Sequence, residues 1–199
     1  MIEYSILTHD LPTSIKVKDK EYKIDSRVCK VLQALYILSM DELDLPFRIG
    51  EVTSLLLGDN TKFEADDFLE VWSEIVNFLG GYPRRNTTES KKQVLSYSQD
   101  HDIIYSAFRQ AYGLTLTEIK NMHYWEFLSL LAGLPADTRL SGVIQIRLTE
   151  ITSKDSAEVR RAKIKAKQAV SIKPRVREGQ ERESGTDIIS NALNNENDE

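Results

Sequence analysis

Apolar residues recur along the first part of this chain at a period of two, and after that at helical spacing. Over residues 13–25, Ile15 and Val17 alternate with lysines, and Tyr22 and Ile24 repeat the alternation. The polar Lys18-Asp19-Lys20-Glu21 between them reads as a turn, so the pattern predicts a β-hairpin with one apolar face. A lone hairpin is marginal in water, so this one should pack on a helix. Asp25-Ser26 can cap a following helix, along which Val28, Val31, Leu32, Leu35, Tyr36 and Leu38 recur, ending near Asp41 or Glu42. Pro46 breaks the chain, and Arg48–Leu57 predicts a short helix that Gly58 stops.

A stronger amphipathic stretch runs from about Ala65 to Leu79, with Phe68, Val71, Trp72, Ile75, Val76 and Leu79 as its stripe. Asp66, Asp67 and Glu70 sit in its first turns, where they suit the helix dipole. Residues 80–99 are polar and locally basic, and are expected to form a flexible loop. A helix over Asp100–Tyr112 follows, with Ile103, Ile104, Phe108 and Ala111 inward and Gly113 as its stop. Thr115 or Thr117 then caps a helix predicted over Thr117–Ala132, apolar around much of its girth: central in the core, or with one face for a partner. Asp137-Thr138-Arg139 reads as a turn or helix start. Over Gly142–Ile151 helix and strand patterns compete, and helix is favoured.

Charge changes the picture at the C-terminal end. The 199 residues carry a net charge of −5, but it is unevenly spread. Lys154–Arg177 holds nine Lys/Arg against two acids, and 178–199 holds one Arg against seven acids. The organisation expected is therefore a helical domain with its N-terminal hairpin over 1–153, then 154–199 as a basic helical extension and an acidic, disordered tail. The fold class expected is mainly α, with the small hairpin and a charged, partly disordered tail.

Candidate chemistry is sparse. The chain contains no phosphate-cradling glycine loop, nucleophile elbow, zinc-protease helix or EF-hand loop. His9, His101 and His123 are scattered and read as surface or satisfied core residues. The single cysteine, Cys29, excludes an intrachain disulfide and a cysteine zinc cluster, and reads as a small buried hydrophobe. No catalytic, cofactor-binding or metal-ligating residue is expected, and no enzyme activity. Neither a signal peptide nor a membrane span is expected, since the longest apolar runs fall far short of ~20 residues. The basic block could neutralise phosphates, but no interleaved aromatics accompany it. Ile164, Val170 and Ile172 could instead mark a segment that orders on a partner.

The stretch HDIIYSAFRQAYGLTLTEIKNMHYWEFLSLLAGLPADTRLSGVIQIR resembles the bacteriophage protein-fifteen (gp15) family of tailed phages and prophages of Gram-positive bacteria. The resemblance rests on Asp102, Tyr105, Phe108, Tyr112, Gly113, Leu116, His123, Trp125, Phe127, Leu131, Leu134-Pro135 and Arg147. Where relatives often carry two tryptophans and a lysine, this chain has Tyr124-Trp125-Glu126, with the charge reversed. The resemblance implies a tail morphogenesis factor of the tail assembly chaperone type. Its partner would be the tape measure protein, with the tail-tube protein as a further candidate and a homo-oligomer left open. It would act in the cytoplasm of the bacterial host, without membrane or nucleic acid, and be absent from the mature virion. A minor structural tail component and a nucleic-acid-binding regulator are the alternatives. Tyr124, Trp125, Phe127, Leu128 and Leu131 are the candidate partner-binding residues, since aromatic side chains are favoured at interfaces. Trp125 and Phe127 could equally be core, whereas Tyr124 is expected to be partly exposed. Arg147 is expected to pair with an acid such as Asp102.

Overall fold

The hairpin forms where the alternation places it. β1 (Ser14–Val17) and β2 (Lys20–Lys23) pair antiparallel with Ile15 opposite Tyr22. Ile15, Val17, Tyr22 and Ile24 are all buried, and β1 packs on α3 (Phe68–Leu79). Lys18 turns the hairpin with φ +53°, a conformation uncommon for a side chain larger than glycine. Its ammonium pairs with the Asp67 carboxylate, and Lys20 lies 3.7 Å from the other oxygen. Asp67 is buried, and the Lys18 hydrogen bond holds its carboxyl below the usual range. This acid therefore does more than face a helix dipole: it ties the hairpin turn to the start of α3. The computed structural model describes residues 7–81 and 93–173.

α1 (Val28–Leu38) and α2 (Leu45–Leu57) pack against each other. Pro46 does not precede α2 but sits in its first turn, where a missing N–H costs nothing. A 3-10 turn at Ala65–Asp67 leads into α3. α4 (His101–Tyr112) ends at Gly113, whose φ of +70° suits a residue without a Cβ. α7 (Arg139–Leu148) settles the ambiguous stretch as helix, capped by Thr138 accepting from the Ser141 N–H. α8 (Ala157–Ala169) carries the basic block and buries no residue. The domain is thus mainly helical with a small N-terminal hairpin.

The helix predicted over Thr117–Ala132 is two helices. α5 (Leu116–Asn121) begins with a capping box between Thr115 and Glu118. α6 (Tyr124–Ala132) begins afresh after Met122-His123. Backbone bonds to another element hold the break open. The Val28 N–H donates to the Met122 carbonyl at 3.0 Å, and the Tyr124 N–H donates to the Ser26 carbonyl at 2.8 Å. These bonds pair Arg27 with His123 as an antiparallel bridge. They also take the place of the expected Asp25-Ser26 cap, since α1 has no side-chain cap and Asp25 is gripped by the Arg27 guanidinium at 2.6 and 2.9 Å.

The expected loop over 80–99 falls mostly on 82–92, outside the described residues. The part after it is packed, with Ser96 buried and Asp100 receiving its N–H at 2.9 Å. The acidic tail over 178–199 also lies outside the described residues.

Candidate docking groove

The core is closed by aromatic pairs. Phe108 stacks on Phe127 at 5.0 Å between centroids, and the Tyr112 hydroxyl donates to the Leu130 carbonyl at 2.7 Å. The five candidate partner-binding residues sit in or against this core. Tyr124 is 4% exposed rather than partly exposed as expected. The α1–α6 bridge draws it inward, where it hydrogen-bonds Tyr97 and burial pushes its phenol strongly up. Phe127 is 1% exposed. Trp125 is half-buried, stacked on Phe78 at 5.7 Å, and its indole N–H donates to the Phe78 carbonyl at 2.9 Å. Leu128 and Leu131 are half-buried against the core. Leu128 closes over Gly81, where a Cβ would stand 2.8 Å from its Cδ1. These five do not make one open surface.

His123 is a satisfied histidine. Its Nδ1 accepts from the Trp125 N–H at 3.0 Å, and its Nε2 lies 2.8 Å from the Pro12 carbonyl. An imidazole serving both partners must be neutral, protonated on Nε2. Burial lowers its pKa, against the opposing pull of the Pro12 carbonyl.

Arg147 does not reach Asp102, whose side chain is 91% exposed. It grips Asp100 instead, through two bonds of 2.6 and 2.8 Å, and also donates to the carbonyls of Val94 and Val170 at 2.9 and 2.7 Å. Two residues earlier along the chain than Asp102, Asp100 points inward at the start of α4. Burial pushes its carboxyl up, but the Arg147 bonds and the Ser96 N–H outweigh this and hold it below the usual range.

Beside the described core open a smaller pocket of about 340 Å³, where Trp125 and Phe78 meet the hairpin at Pro12 and Ile15, and a longer one along α1. That helix turns Val28, Val31 and Ala34 into the core. Its other side, through Cys29, Leu32 and Tyr36, lines a groove. One part, of about 540 Å³, runs between α1, Leu55 and the segment Gln93–Ser98. The other, of about 290 Å³, continues toward α4 and α5, past Tyr105 and Leu116, with Phe127 at its base. The two parts share Cys29, Leu32, Gln33 and Tyr97 and so run into each other. Tyr36 is 47% exposed, and Tyr105 and Leu116 are also exposed at the rim. None of the described residues lining the groove carries a carboxylate, while His101 and Lys120 stand at the α4–α5 end.

Sequence reasoning placed Leu32 and Tyr36 in a single core stripe and missed the groove. The available signal was that apolar residues cover more of α1 than one stripe: Cys29, Leu32 and Tyr36 form a second one, offset from Val28, Val31 and Leu35. Tyr105 and Leu116, which help carry the family resemblance, are exposed at the rim. Phe108, Tyr112, His123, Trp125 and Arg147, which also carry it, are internal ties.

The family model described as Bacteriophage Gp15 protein matches residues 7–172. The chain belongs to this family. Membership supports a role in phage tail morphogenesis. No curated protein matches the chain, and no solved structure matches it. Among the described residues no group of three or more His, Cys, Asp or Glu could hold a metal ion. No helix among them is long and apolar enough to cross a membrane.

Proposed function

We propose that this Gp15 family member is a tail assembly chaperone that holds an amphipathic helix of the tape measure protein in the α1 groove. The observation that carries the reading is the groove itself: an elongated trough lined mostly by apolar residues along α1. Such a trough recognises a helix by burying its apolar face, with anchors at i, i+3, i+4 and i+7. Tyr36, Tyr105 and Leu116 at the rim are the contacts proposed to do this. The five residues expected from the sequence then act indirectly: Phe127 supports the base of the groove, while Tyr124, Trp125, Leu128 and Leu131 hold α6 under it. Binding is stoichiometric and needs no catalytic group. The chain would act in the host cytoplasm and be left out of the finished particle.

The basic block supports this reading over a nucleic-acid-binding one, because part of its charge is committed internally. Lys163 pairs with Asp155 at 2.8 Å, and Lys167 donates to the Arg147 carbonyl at 2.5 Å.

The test is co-expression with the tape measure protein of the same genome, followed by pull-down and a solubility assay. A tape measure that is soluble and co-purifies only with this chain is the expected result. Absence of binding, with this chain found instead in purified virions, would replace the proposal with a structural tail component.

A further inference from the structure

Two helix faces on different parts of the domain mirror each other in chemistry. At the start of α2, Asp44, Phe47 and Glu51 fall at i, i+3 and i+7 and so share one side. All three are exposed, Phe47 at 54%. Asp44 is the N-cap residue of α2, yet its side chain makes no capping bond. On α8, Arg161, Ile164 and Lys165 fall at i, i+3 and i+4 and likewise share one side. They too are exposed, Ile164 at 40%. Each face therefore sets one large apolar side chain between like charges, acidic on α2 and basic on α8.

The surroundings of each face deepen the contrast. Asp41–Glu51 carries four acids and one base, and that base, Arg48, turns back to donate to the Leu38 carbonyl at 2.7 Å. α8 carries five Lys or Arg and one acid. Two of its lysines are committed within the chain. Lys163 bonds Asp155 and the Glu150 carbonyl, and Lys167 bonds the Arg147 carbonyl. These bonds hold α8 on α7 and leave Arg161 and Lys165 pointing outward. Among the described residues, the side chains of Asp44, Glu51, Arg161 and Lys165 have no ion-pair or hydrogen-bond partner. α2 packs on α1 and α3, whereas α8 packs on α7, so the opposite charges of one chain sit on separate elements.

We propose that the α2 face of one chain docks on the α8 face of a second copy, joining copies head to tail. Phe47 packs against Ile164, with Arg161 and Lys165 beside Asp44 and Glu51. Exposed ion pairs contribute little one by one, so burial of the two apolar side chains supplies most of the attraction. The charges set the register and reject the wrong pairing, since two α2 faces or two α8 faces repel. Because the joined faces differ, each added copy presents a new face, and copies continue as an open array or close into a ring. The contact uses no residue of the groove lining, and it adds self-assembly to the function proposed above.

The experiment is light scattering on the full-length protein over a concentration series. At low salt the mean mass should climb to at least twice that of one chain, and high salt should lower it by screening the rim charges. Phe47→Lys and Ile164→Asp each place the repelling charge at the centre of one face. Both positions are exposed, so the core is untouched, and each variant alone should stay at the mass of one chain. Mixed in equal amounts they should associate again, because each retains one intact face. A contact between two copies of the same face would gain nothing from mixing. A single-chain mass for the wild type at every concentration would overturn the contact. So would an assembly that survives either substitution, or a mixture that stays at one chain. Because no tape measure protein is present, failure here leaves the chaperone reading standing, and failure of the pull-down does not touch this result.

Discussion

On α6, each aromatic side chain has an internal partner: Tyr124 has Tyr97, Trp125 has the Phe78 carbonyl, and Phe127 has the face of Phe108. On the outer side of α1, Cys29, Leu32 and Tyr36 line a groove, and Tyr36 is 47% exposed. Both surfaces are apolar and both read from the sequence as helix faces. The difference lies in the neighbours. α6 starts on a backbone bridge to α1, which places its first turn inside the domain. Among the described residues, the second stripe of α1 is flanked by Leu55, the Gln93–Ser98 segment and residues of α4 and α5.

The largest effects should come from breaking the closed side. Phe127→Ala should cost about 3–5 kcal/mol, read as a loss of unfolding free energy in urea. Arg147→Ala strands a buried Asp100 and should cost a similar ~3–5 kcal/mol. Asp102→Asn, at the acid expected from the sequence, should stay within about 0.5 kcal/mol. An equal loss for Asp102→Asn and Arg147→Ala would contradict the pairing described.

Two smaller changes sharpen the comparison at the start of α6. Trp125→Phe keeps an aromatic ring and removes the indole N–H bond to the Phe78 carbonyl, which retains the Gly81 N–H at 3.1 Å, and should cost about 1 kcal/mol. His123→Asn keeps a capping side chain and removes the titration. The His123 pKa is lowered on folding, so its contribution is fully present above the unfolded value of about 6.5. That contribution falls as pH drops from there toward the folded pKa, because the unfolded chain takes up the proton first. Urea midpoints at pH 7.5 and pH 5 should therefore differ less in His123→Asn than in wild type. The buried Asp100 adds loss only at lower pH, near and below the ordinary carboxylate range of about 4.

The smallest effect on stability should come from the open side. Tyr36→Asp should change the unfolding free energy by no more than about 0.5 kcal/mol.

Much of the fold was legible because it depends on local pattern. The hairpin followed from the alternation of Ile15, Val17, Tyr22 and Ile24, and α3 from its stripe, of which Val71, Ile75 and Leu79 are buried. Val76 is 38% exposed, and Phe78, outside that stripe, is buried. The helix break at His123 was not legible, since no glycine or proline marks it. The bonds that stabilise it come from Ser26 and Val28, about a hundred residues earlier in the chain. The acid beside Arg147 was off by two positions for a related reason: chain spacing does not say which carboxylate at a helix start turns inward. The candidate site was the least legible part. Aromatic content drew attention to α6, while the groove depends on how Leu55, the Gln93–Ser98 segment and α4 and α5 are placed along α1.

The most direct test of the central claim is tape measure solubility on co-expression with three versions of this chain: wild type, Tyr36→Asp and Trp125→Phe. Docking in the α1 groove predicts a soluble, co-purifying tape measure with wild type and with Trp125→Phe, and loss of both with Tyr36→Asp. Retained binding by Tyr36→Asp together with loss by a folded Trp125→Phe would contradict it and move the binding surface to α6.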